Sequence, residues 1–110
     1  MGSEILYRTD GYYQAIIQIR PRDKEILNYV RNQVRKKKGV EISKEVFHKY
    51  GIDVYVTDQK FARNLGQKLK KSFKGELKIT KSIHTKDRQT SREVYRGTVL
   101  FRRQKEEQKD

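Results

Sequence analysis

The side chains with the most to do chemically are cations. Lys60, Arg63, Lys70, Lys71 and Lys74 fall on the arc of a helical stretch opposite Phe61, Leu65 and Leu69. Lys78, Lys81, Lys86, Arg88, Arg92 and Arg96 come shortly after. Residues 60–103 hold 14 Lys and Arg against three acids, Glu76, Asp87 and Glu93, a net of +11. A second cluster, Arg31, Arg35, Lys36, Lys37 and Lys38, contains no acid. Side chains of this type displace condensed counterions from phosphates, which gives salt-dependent affinity with little sequence information. A solvated, Lys-rich face that keeps a small domain soluble would explain one basic helix. Three basic segments with few acids among them favour a polyanion site. The basic helix lacks the exposed bulky apolar residues needed to insert into a membrane.

The remaining candidates for chemistry are sparse. His48 and His84, the two histidines, are far apart in sequence and lack the spacing of metal ligands. Asp53 and Asp87 are scattered, and Asp58 reads as a helix cap or first-turn acid. The chain has no Cys, so it has no thiol nucleophile, disulfide framework or Cys-based zinc site. No nucleophile elbow, phosphate loop or paired-carboxylate motif is present. The sequence therefore names no catalytic residue, metal ligand, cofactor or small-molecule substrate. Seven tyrosines could stack on bases, but Tyr12, Tyr13, Tyr55 and Tyr95 lie in strand-like runs and suit sheet packing equally well.

At 110 residues the chain is one domain, long enough to bury roughly 60–70% of its unfolded surface. A net charge of +13, with 37% charged residues against 34% hydrophobic ones, would also suit a disordered chain. The patterning argues otherwise. Residues 11–20 alternate as a largely buried strand, with Tyr13, Ala15, Ile17 and Ile19 on one face and Tyr12, Gln14, Ile16 and Gln18 on the other. Pro21 ends it. Arg22 to Lys38 reads as a helix through Ile26, Leu27, Val30 and Val34, with a cationic last turn and Gly39 as its C′ residue. Ser43 with Lys44, Glu45, Val46 and Phe47 reads as a short helical turn closed by Gly51.

Ile52 to Val56 is a short strand, and Thr57 or Asp58 caps a second helix over Gln59 to Lys74 that Gly75 ends. Glu76 to His84 and Glu93 to Arg103 alternate as two strands joined by a polar hairpin tip, Thr85 to Arg92. Gly97 inside the last strand suggests a bulge or a close backbone approach. Residues 1–10 form a polar lead-in whose Met-Gly-Ser start carries no weight, and residues 104–110 a disordered charged tail.

The expected fold is α+β: a two-layer sandwich in the order β-α-β-α-β-β. Its four-stranded mixed sheet carries both long helices on one face, and the first two strands are parallel neighbours. The other sheet face then lacks a cover, so it is solvated or docked on a partner. The longest apolar run, Ala15-Ile16-Ile17, is too short to span a bilayer or to serve as a secretory signal, so a cytoplasmic location is expected.

The run Gly11-Tyr12-Tyr13-Gln14-Ala15-Ile16-Ile17-Gln18-Ile19-Arg20 resembles the opening strand of the middle domain of the archaeal and eukaryotic Nmd-three family. Gly51-Ile52-Asp53-Val54-Tyr55-Val56, the basic helix and Lys81-Ser82-Ile83-His84 are similar in order and spacing to the later part of that domain. Eukaryotic members are adaptors for nuclear export of the large ribosomal subunit. The resemblance implies a domain that contacts ribosomal RNA or large-subunit proteins during assembly or export; in an archaeon, an assembly or quality-control role would remain. The family's paired Cys-x-x-Cys zinc ribbons have no counterpart in this chain, so it would be an isolated middle domain or a relative without ribbons. Zinc binding does not carry over.

The functional expectation is thus an RNA-binding module of the large ribosomal subunit that grips phosphates through Lys60, Arg63, Lys70, Lys71, Lys74, Lys81, Lys86, Arg88 and Arg92, and through Arg35, Lys36, Lys37 and Lys38. Two alternatives come from other classes. One is a protein-interaction adaptor that uses the uncovered sheet face. The other is a hydrolase of tRNA or its conjugates, in which Asp53 or His84 would matter.

Overall fold

The computed structural model describes the backbone of residues 11–86 and 93–104, and the side chains of residues 11–81 and 96–104. The elements are β1 (Ala15–Arg20), α1 (Lys24–Lys36), β2 (Ile42–His48), β3 (Gly51–Val56), α2 (Gln59–Ser72), β4 (Gly75–Lys86) and β5 (Glu93–Arg103). The strands form one mixed sheet in the order β2-β3-β1-β5-β4. β1 is central because its β-branched run can be buried while both of its edges are paired. It runs antiparallel to β3 and parallel to β5, and Ile17 faces Val54 on one side and Val99 on the other.

Among the described residues the sheet has five strands, where the sequence suggests four. The segment read as a helical turn at Ser43 to Phe47 is β2. Seven residues are too few to stabilise a helix without a full apolar stripe, whereas they can hydrogen-bond along β3. Lys49 and Tyr50 connect the two strands, and pairing runs from His48 opposite Gly51 to Ile42 opposite Val56, with an irregularity between Ile42 and Lys44. This added strand reverses the chain, so β1 and β3 are antiparallel neighbours and not the parallel pair that the sequence suggests. The parallel neighbour of β1 is β5, the last strand.

Both helices lie on one face. Strand alternation puts Ala15, Ile17 and Ile19, then Ile52, Val54 and Val56, then Val99 and Phe101 on that face, all buried. α1 adds Ile26, Leu27, Val30 and Val34, and α2 adds Ala62, Leu65 and Leu69, to the same core. Tyr29 of α1 meets Phe73 edge-to-face at 5.6 Å.

Local chemistry sets the helix ends. Asp23 caps α1: its Oδ1 accepts from the amides of Glu25 at 2.9 Å and Ile26 at 3.2 Å. Asp58 caps α2 through the amide of Phe61 at 2.9 Å. α1 therefore starts two residues later than Arg22 and stops at Lys36, with Lys37 as its C-cap; Gly39, at φ +88°, serves the turn beyond. Lys37 and Lys38 thus stand past the helix end. β1 begins only at Ala15, so its alternation does not extend back to Tyr13 and Gln14. The Tyr13 ring meets Tyr55 on the uncovered face, while Gln14 Oε1 accepts from the amide of Gln59 at the start of α2. Gly97 marks no bulge: it pairs in register with Ala15 and Lys81, and a Cβ there would meet nothing nearer than 3.7 Å.

The β4–β5 ladder extends to Lys86 opposite Glu93, so Thr85 and Lys86 are strand residues. The rest of the expected hairpin tip, the lead-in 1–10 and residues 105–110 lie outside the described residues. The Gln104 amide donates to the Lys74 carbonyl at 2.8 Å.

Gly66 governs how closely α2 sits on the sheet. A Cβ there would lie 2.7 Å from Val99 Cγ1 and 2.9 Å from Leu77 Cδ1. Gly66→Ala gains about 1 kcal/mol of helix propensity and loses about 1–3 kcal/mol to overpacking. A net loss of about 1 kcal/mol is expected, read as a lower urea midpoint with an unchanged m-value. Adding Val99→Ala should make the Gly66→Ala cost shrink; strict additivity of the two changes would contradict this packing.

Candidate nucleic-acid interface

Several cations are committed inside the domain. Arg31 Nε donates to Glu45 Oε2 at 2.8 Å and its Nη2 to Oε1, fastening α1 to β2 with both ends of a bidentate pair. The Glu45 carboxylate is only 8% exposed, so this pair is shielded from solvent. Arg20 Nη2 lies 2.9 Å from Asp53 Oδ1, close enough for an ion pair although its N–H is not aimed at that oxygen. His48 Nε2 contacts the other oxygen, Oδ2, at 2.9 Å. Asp53 is thus held between β1 and β2. Among the described residues no three His, Asp or Glu gather into a metal-binding group. The His84 side chain lies outside the described residues.

Arg103 Nη1 donates to Asp23 Oδ2 and Glu25 Oε1, each at 2.8 Å, joining the end of β5 to the start of α1. Burial alone would raise the Asp23 pKa. Hydrogen bonds from Arg103 and from the amides of Ile26 and Glu25, with the charge of Arg103, outweigh it and hold the carboxyl below its usual value.

Other cations gather in the helix layer. A cleft of about 440 Å³ opens between α1 and α2, lined by Lys36, Lys37, Lys60 and Lys68 over a floor of Phe61 and Leu65. Gln33 and Asn64 add polar edges, and Asp58, the α2 cap, is the single acid of the lining. Lys68 donates to Gln33 Oε1 at 3.3 Å across the cleft. The structure therefore brings together Lys36, Lys37 and Lys60 from the sequence-derived set and adds Lys68. The signal for Lys68 is present in the spacing: Lys60, Asn64 and Lys68 recur every four residues, one flank of a helix.

Arg63 falls on the opposite flank of α2. It lines a separate hollow with Gln59, Thr80, Lys81 and Gly97, where Ala15 and Gly97 leave space beneath the helix. Helical spacing puts Lys70 on the flank of Arg63 and Lys71 on the flank of Lys60. Lys70, Lys71, Lys74, Lys38 and Arg35 are all exposed, and Arg35 Nη1 donates to Asn32 Oδ1 at 2.7 Å. The Lys86 side chain and residues Arg88 and Arg92 lie outside the described residues. Of the cations expected along α2, Lys60 lines the cleft toward α1 and Arg63 the hollow toward β4, while Lys70, Lys71 and Lys74 line neither.

The sheet face away from the helices carries a second arrangement. Across the sheet, Lys44, Tyr55, Ile16, Thr98 and Thr80 stand in register as one row. Tyr13 and Tyr55 meet edge-to-face with ring centroids 4.9 Å apart and an interplanar angle of 89°. Arg96 lies 3.9 Å from the Tyr13 ring centroid, and Lys44 Nζ 4.4 Å from that of Tyr55. Burial, then the Asp53 charge and the neighbouring Tyr13, raise the Tyr55 pKa above its usual value.

A sequence model described as NMD3, second domain, matches residues 12–102. The chain belongs to the NMD3 family. NMD3 proteins are ribosome-associated, and the match spans both helices, β1 to β4 and all of β5 except Arg103. No curated protein matches this NMD3 domain. No helix among its described residues is long and apolar enough to cross a membrane.

The Asp23–Arg103 contact makes stability depend on pH. The folded Asp23 carboxyl titrates below its unfolded value of about 3.9, so its contribution is full above that value and is lost as pH falls through the folded pKa. Asp23→Asn keeps a capping oxygen but removes the charge. The variant should be less stable than the parent at about pH 7, and the gap should close at about pH 2. Urea unfolding at both values checks this, and a gap of equal size at both would remove the carboxylate as its source.

Proposed function

We propose that this NMD3-family domain binds RNA of the large ribosomal subunit during assembly or export, through phosphate contacts made by its helix layer. The observation that carries the reading is the cleft in which Lys36 and Lys37, at the end of α1, face Lys60 and Lys68 of α2. Four ammonium groups around one hollow with a single acid form a place where phosphate oxygens replace counterions. Lys71 continues that flank, and Arg63 with Lys81 extends the positive surface toward β4. Such contacts recognise the shape and charge of a structured RNA rather than its base sequence. The committed arginines Arg20, Arg31 and Arg103 hold the fold and lie outside this contact set. The cell compartment consistent with the reading is the cytoplasm for an archaeal protein.

Structured fragments of large-subunit ribosomal RNA provide the direct test. Affinity should fall steeply between about 50 and 200 mM salt. Changing Lys36, Lys60 and Lys68 together to Glu, or Lys70, Lys71 and Lys74 together to Glu, should weaken binding. Each lost phosphate contact should lower the salt slope by about one. Circular dichroism should stay that of the parent, since all six side chains are exposed. Affinity unmoved by both triple reversals would overturn the placement. Large-subunit particles that fail to co-purify even at low salt would overturn the partner.

A further inference from the structure

Granted the RNA contact proposed above, on which this step rests, we infer that the hollow beneath the start of α2 receives a single unpaired base of the bound RNA. The hollow holds about 280 Å³ and lies on the helix side of the sheet, apart from the lysine cleft between α1 and α2. Buried Ala15, Gly97 and Val99 form its floor, and exposed Arg63, Ile79 and Lys81 stand at its mouth. Two small residues create the space. Ala15 and Gly97 are register partners across β1 and β5, and neither sends a long side chain under the helix. A Cβ on Gly97 would meet nothing nearer than 3.7 Å. Further along the same helix the packing is tight, since a Cβ on Gly66 would lie 2.7 Å from Val99 Cγ1. α2 thus closes onto the sheet at Gly66 and leaves room over Gly97.

Size and chemistry select the occupant. A volume of about 280 Å³ falls just under the roughly 300–1,000 Å³ of pockets that enclose a whole small ligand, so it suits one side group rather than a length of chain. The floor is apolar, and Ile79 beside it is left 38% exposed, so an apolar group seated there would take both out of water. The mouth is cationic, and none of the lining residues is acidic. A nucleotide joins these two properties in one unit, a flat apolar base with a phosphate attached. The base would lie over Gly97 while the forked donors of Arg63 take the phosphate. An aliphatic side chain of a protein partner would cover the floor but make no use of the cations. The base must be an unpaired one, because a paired base would first have to give up its stack and its partner.

The test compares a perfect RNA duplex with the same duplex carrying one bulged nucleotide. The parent should bind the bulged RNA about tenfold tighter, because one base is gained as a contact. An abasic nucleotide at the bulge should bring affinity back to that of the duplex. Gly97→Val puts a side chain into the hollow from ordinary strand backbone, where valine is well accommodated. This variant should lose the preference for the bulge and keep the parent's affinity for the duplex. Amide shifts of the parent give a readout that needs no variant to fold: the bulged RNA, and not the duplex, should move Ala15, Ile79, Gly97 and Val99. A parent without preference for the bulge, a preference kept by Gly97→Val, an abasic bulge that binds as the intact one does, shifts absent from these four amides, or an acidic leucine-bearing peptide that displaces the bulged RNA from them would each overturn the inference. Where the duplex still binds in a salt-dependent way, the base site falls alone; a parent that binds neither RNA overturns the phosphate contact as well.

Discussion

Everything in this domain depends on β1 being paired on both edges while the described helices cover only one of its faces. Ile17 and Ile19 are fully buried and sit between Val54 and Ile52 on one side and Val99 and Phe101 on the other. Two amphipathic helices close that face, and Gly66 lets α2 approach until there is no room for a Cβ over Val99 and Leu77. A chain of this size has apolar residues for one such layer. The consequence is a molecule with two unlike surfaces, a helical one rich in exposed lysines and a sheet face on which rings and cations pack together.

The strong positive charge is sorted by this architecture. Arg20, Arg31 and Arg103 contact carboxylates on other elements and act as fasteners between β1 and β3, α1 and β2, and α1 and β5. Their planar, forked donors suit fixed pairing. The lysines of α2 and of the α1 end remain solvated point charges on flexible stems, which suits contact with a phosphate backbone whose exact position varies. The net excess is therefore concentrated in side chains that a polyanion can reach.

The two helices, β3 and the β4–β5 hairpin are legible in the sequence because each carries its own periodicity and punctuation: Asp58 before Phe61, Gly75 after Phe73, a polar run between alternating strands. β2 is not. Ile42 to His48 has one fully buried residue, and its Ser-Lys-Glu start imitates a helix cap, so only pairing with β3 distinguishes strand from turn. Tyr13 falls on the wrong side when alternation is carried back past Ala15, where the strand begins. Lys68 escapes a search of the arc directly opposite the core, because the cleft lies on the flank that faces α1.

Composition and spacing by themselves determined a basic, cysteine-free α+β domain with its positive charge concentrated from Lys60 onward. Those properties are written in residue types and short-range periods. Only the tertiary structure decided the strand order, the direction of β3, which arginines are committed to carboxylates, and which lysines share a cleft. Only it placed Tyr13 against Tyr55. The physical reason is that such relations join residues far apart in the chain: a period of 2 or 3.6 says which face a side chain takes, but the partner across the sheet or between helices is set by packing of the whole.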